Sequence, residues 1–224
     1  MEIMLTCIVS GLFALLSVIP GLYYRYYYIN DKKKPQHLQQ VLMAKRIWIP
    51  MTICHICIGA VIIGLTIYYR LSWDTALREQ AVLHFLAVIA SIDLSVKKIP
   101  NGLVAGLLSV WILFFAVDAI RAFDFSEIGA LLLRSGLGLL TGGGILLICK
   151  LISQGGLGAG DVKLFSVLGL FYGMIGVLNV LFYTCLFTAV VCIVLLVARK
   201  LRFKDTVPMS PFILAAAVLY DIFS

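Results

Sequence analysis

Charge is scarce in this chain. Only 13% of its 224 residues are Asp, Glu, Lys or Arg, 62% are hydrophobic and the mean hydropathy is +1.06, a balance that excludes the soluble globular class. Histidine is scarcer still. His37, His55 and His84 form neither an H-E-x-x-H metal site nor a nucleophile triad, and the sequence has no Gly-x-Ser-x-Gly elbow and no phosphate-cradling loop. The six cysteines all lie in apolar runs, which predicts buried free thiols. Cys54 and Cys57 make one C-x-x-C, but a structural zinc site usually takes two such pairs and there is no second. The reading is therefore no metal and no cofactor. The first apolar run lacks a preceding basic region and a small-residue cleavage site, so it is read as a retained helix. Repeats and low-complexity linkers are also missing, which predicts one membrane-embedded domain over 1–224.

What the chain does have is long apolar runs. Stretches of roughly 20 apolar residues can cross a bilayer as helices. They fall near 3–22, 47–69, 77–94, 102–120, 128–150, 162–173, 174–198 and 207–223. The expected fold is all-α, a polytopic membrane helix bundle of about eight transmembrane or membrane-embedded helices. The only long polar stretch, about 23–46, is basic and tyrosine-rich, suited to anchoring at anionic headgroups and too short to fold alone.

The formal net charge is +7, yet the basic residues sit mostly in short segments between apolar runs, where they act as topology signals and not as a nucleic-acid footprint. Fourteen of the 18 Lys and Arg lie in odd-numbered loops and three in even-numbered ones. That asymmetry predicts N- and C-termini outside and odd loops in the cytoplasm. Asp93 and Asp161, at the ends of two apolar runs, then share the cytoplasmic face.

A carboxylate beside lipid costs about 2.5–3.5 kcal/mol on insertion scales, so such acids are usually kept for function. Two carboxylates brought close share one proton and titrate as a unit. The charged partner can take a proton from water as that water attacks a peptide carbonyl, while the protonated partner donates to the carbonyl oxygen and later helps the amine leave. This is aspartic peptidase chemistry, with no covalent intermediate. Asp161 follows a glycine-rich bend, Gly155-Gly156-Leu157-Gly158-Ala159-Gly160, where backbone can approach closely. Pro100 disfavours helix at Ile99, so the chain turns there, and Asn101 is placed to cap the next helix.

Asp93 with Lys97-Lys98-Ile99-Pro100-Asn101, followed by Gly158-Ala159-Gly160-Asp161-Val162-Lys163, resembles the paired motifs of the type IV prepilin peptidases, membrane aspartic endopeptidases of the Gly-x-Gly-Asp class. The resemblance covers about residues 80 to 223, because Val207-Pro208-Met209-Ser210-Pro211-Phe212 is similar to a proline-bearing segment near that family's C-terminus. It implies an enzyme of the prokaryotic plasma membrane that removes the basic leader of prepilins or pseudopilins at the cytoplasmic face. Asp93 and Asp161 would be the catalytic pair, Gly158 and Gly160 would admit the substrate backbone, and Lys163 would steady the charged site or meet an acidic substrate group. Two-function members carry a cytoplasmic region with two C-x-x-C pairs, associated with N-methylation. Here the short basic loop replaces it, which implies a peptidase without methyltransferase activity.

Two other readings use the same acids. A transporter would bind ions at a broken helix, and a structural subunit would pair Asp93 and Asp161 with nearby lysines. The first predicts transport with Asp161 essential and no peptide cleavage, the second that neither acid is needed for any hydrolysis.

Overall fold

The computed structural model describes residues 8, 45–69, 72–122, 124–153, 156–200 and 207–223. Among these every regular element is helical: α1 Lys45–Tyr69, α2 Trp73–Val96, α3 Asn101–Ala122, α4 Phe125–Ile152, α5 Ala159–Val197 and α6 Ser210–Phe223. Four of them, α2 to α5, are long and apolar enough to cross a membrane. The predicted segment 3–22, apart from residue 8, and most of the basic loop 23–46 lie outside the described residues.

The chain divides into two compact units, Met1–Lys97 and Lys98–Ser224. In the first, α1 packs on α2. Ile58, Ile62 and Leu65 form a buried i, i+4, i+7 stripe on α1, while α2 is buried along most of its length from Gln80 to Asp93. The charged start of α2 is tolerated because Asp74 sits in the first turn, where the helix dipole favours an acid, with Arg78 at i+4 and 4.0 Å away.

In the second unit, α4 starts on an Asp124 cap whose carboxylate accepts the Ser126 N–H at 3.0 Å, with Glu127 in the first turn and Lys150 in the last, each favoured by the dipole there. α5 is 39 residues long, about 58 Å if it were straight, and it is not straight. At Gly173 φ is +69° and ψ is −173°, a conformation essentially reserved for glycine. The predicted boundary between segments 162–173 and 174–198 falls at this break. The first segment, 159–172, is about 21 Å long and too short for a hydrocarbon core of about 30 Å, whereas 174–197 reaches about 36 Å.

Glycine sets how closely α4 and α5 meet. Gly138 and Gly169 lie backbone to backbone, so a Cβ on either would overlap the other's carbonyl, and Gly142 faces the Phe165 carbonyl. Close small-residue contacts of this kind are how helices pack where lipid removes the hydrophobic drive to associate. The pairing 138 with 169 and 142 with 165 makes α4 antiparallel to the first segment of α5. The outer faces of α4 and α5 expose Leu133, Leu140, Leu147, Ile175, Phe182 and Val190, an apolar surface suited to lipid.

The thiol reading is corrected in part. Cys54, Cys57, Cys149, Cys185 and Cys192 are free, but Cys57, Cys149 and Cys185 are exposed, because they lie on the outward faces of apolar helices. His84 is buried, as a packed side chain of α2.

Candidate active site

The end of α2 is made by Lys97. Its backbone enters the left-handed region at φ +53°, and its N–H bonds back to the Asp93 carbonyl at 2.7 Å, closing the last turn. Asp93 thus stands in the final turn of α2 in the first unit, with a side chain only 5% exposed. The chain leaves the helix over residues 97–100, as the proline predicts.

The second unit opens with the rest of that motif. The Pro100 carbonyl accepts the N–H of Leu103 at 3.1 Å and of Val104 at 3.4 Å, which makes Pro100 the cap and Asn101 the first helical residue of α3. The expected Asn101 cap is therefore corrected. The Asn101 side chain is engaged elsewhere: its Oδ1 accepts from Lys163 Nζ at 3.1 Å. Lys163 and Asn101 are both exposed, so this bond lies at the surface of the unit.

Gly158 caps α5 from an extended conformation and offers no side chain to the first turn. The Asp161 carboxylate occupies that space, with Oδ2 2.7 Å from where a Gly158 Cβ would stand. Asp161 is in the first turn of α5, where the dipole favours negative charge, and is half-buried. Gly160 has a neighbour within the same unit. Ile99 fills the space beside it, its Cβ 2.8 Å from a Gly160 Cβ position, so the glycine admits a neighbouring segment of this same chain.

The structure therefore joins Ile99 and Asn101 to Gly160 and Lys163, residues about sixty positions apart. Because Asn101 meets Lys163 while Trp111 Nε1 donates to the Leu170 carbonyl at 3.1 Å, α3 and the first segment of α5 run parallel, with their N-termini side by side. Sequence reasoning missed Ile99, Trp111 and Lys97 as architects of this region. Ile99 sits inside the quoted motif, but nothing in its own residue type signals contact with Gly160. Among the described residues no group of three His, Cys, Asp or Glu is placed to hold a metal ion.

These features define an α-helical membrane protein in which a glycine-entered, acid-bearing helix start is braced by a proline-bearing turn. The chain belongs to the type IV leader peptidase family, whose model matches residues 80–194, just over half of its length and including both Asp93 and Asp161. No curated protein matches the chain. No solved structure matches it either.

Proposed function

We propose that this chain is a membrane aspartic endopeptidase that removes the short leader from type IV prepilins or pseudopilins at the cytoplasmic face, with Asp93 and Asp161 as the catalytic pair. The observation that carries the reading is the family match across both acids. Within the second unit, the bracing of Gly160 by Ile99 and of Lys163 by Asn101 supports it by holding the Asp161 helix start against the Ile99-Pro100-Asn101 segment.

In this mechanism one aspartate is ionised and takes a proton from water as the water oxygen adds to the scissile carbonyl. The other donates its proton to the carbonyl oxygen, and collapse of the tetrahedral species transfers a proton to the departing amine. Gly158 leaves the Asp161 carboxylate room at the helix entrance. Lys163 and Asn101 act as positioning residues. The whole of 1–224 works as one peptidase domain with about eight membrane-embedded helices, in a prokaryotic plasma membrane, with both termini outside and no methyltransferase part.

The test is incubation of the purified chain with candidate prepilins, beside Asp93→Asn and Asp161→Asn. Cleavage ahead of the hydrophobic N-terminal helix is expected for the parent chain and must be lost in both variants. The break at Gly173 favours a second reading, an ion-coupled transporter, since broken helices also bind ions. That reading predicts Asp161-dependent flux into liposomes and no cleavage.

A further inference from the structure

Asp221, in the last turn of α6, is a buried acid within an apolar helix, and the peptidase reading does not use it. Its side chain is 6% exposed, so it is not reaching out to water. An acid held this way in a membrane helix calls for a role. The Tyr172 hydroxyl donates to Asp221 Oδ2 at 3.4 Å, and the Tyr172 and Tyr220 rings meet edge to face at 5.2 Å. Tyr172 is the last residue before the Gly173 break, and hence the far end of the helical segment that carries Asp161 at its start.

Along its length this segment meets α4 at glycines, Gly138 against Gly169, Gly142 against the Phe165 carbonyl and Gly143 against Ser166. Polar contacts at the two ends of the segment add to this packing. Lys163 to Asn101 holds the entrance. At the other end Trp111 donates to the Leu170 carbonyl, whose helical partner would be the N–H of Met174 just past the break. Arg134 also lies there, its Nε 3.2 Å from a Gly173 Cβ position, near the carbonyl-rich end where the dipole favours a cation.

We infer that Asp221 is a positioning residue for the peptidase site: through Tyr172 it fastens the inner end of the 159–172 segment to α6, and so sets the height of Asp161. The inference rests on the peptidase reading. Asp161 is eleven residues from Tyr172, about 16 Å along a rigid rod, so a shift at one end is delivered to the other.

Two measurements test it. In leader cleavage by the full chain, Tyr172→Phe and Asp221→Ala should each lower kcat about 10-fold or more with KM unchanged, since small misplacements of a catalytic group are costly. The double variant should be no worse than the worse single, and Asp221→Asn, which keeps an acceptor oxygen, should restore most of kcat. Additive losses, an unchanged kcat, a change confined to KM, or Asp221→Asn as poor as Asp221→Ala would overturn the inference. Tyr172→Phe keeps the ring and its packing, so the test survives if Asp221→Ala fails to fold. The second readout needs no activity. In a chain with its native cysteines replaced, spin labels at Gly102→Cys and Ala159→Cys report the segment's position against α3. Their distance distribution should shift or broaden on Tyr172→Phe, and an unaltered distribution overturns the inference. Absence of cleavage by the parent chain would instead reject the peptidase reading.

Discussion

Lys163 Nζ donates to Asn101 Oδ1 at 3.1 Å, across a separation of 62 residues. This bond joins the two motif segments that the family match spans. Lys163→Ala and Asn101→Ala should each reduce kcat/KM roughly 10-fold to 100-fold through misplacement of the Asp161 helix start. The bond is exposed, so each should cost less than about 1 kcal/mol of stability. A double-mutant cycle on cleavage checks the link: the paired loss should be well short of the sum of the singles. Additive losses would make the two residues independent.

Gly158 and Gly160 respond differently to a methyl group. At Gly158 it would meet the Asp161 carboxylate at 2.7 Å, so Gly158→Ala should cut cleavage at least about 10-fold with little change in thermal stability. At Gly160 it would meet the Ile99 Cβ at 2.8 Å, so Gly160→Ala should lower stability by about 1–3 kcal/mol as well as activity. Adding Ile99→Gly should recover part of that stability, measured by unfolding in detergent.

Gly173→Ala places a side chain where φ is +69° and Arg134 lies at 3.2 Å, and it should destabilise the chain by about 1–3 kcal/mol. Gly129, within α4, has nothing within 4 Å of its Cβ position. Gly129→Ala should stabilise by roughly 0.5–1 kcal/mol through helix propensity. Parallel thermal melts of the two variants should therefore move in opposite directions.

Methyl transfer from a labelled donor to the new N-terminus of a cleaved pilin should not be catalysed by the purified chain. Robust transfer would overturn the reading of the short loop 23–46 as a replacement for a methyltransferase region.

Much of the helix plan was legible because lipid demands long apolar runs. The segments 47–69, 102–120 and 128–150 correspond to α1, α3 and α4 within a few residues. The start of α2 lay four residues ahead of the predicted 77 because Asp74 and Arg78, which depress hydropathy, are accommodated in its first turns. Likewise α6 starts at Ser210 and not at 207, since a helix accepts Pro211 in its first turn but the chain before it is shaped by Pro208. The acid-bearing motifs were readable from residue type and order. The engagement of Asn101 was not: its short-range preference pointed to a cap, and a distant lysine took its oxygen instead.

By itself the sequence determined that this is a membrane protein, the approximate course of the described helices, and which acids stand at helix ends, because hydropathy and dipole preference are local properties. Only the tertiary structure decided that Ile99 fills the space beside Gly160, that Lys163 reaches Asn101, and that Tyr172 meets Asp221. Those contacts depend on which helices lie side by side and at what register, and no periodicity within a single segment encodes that.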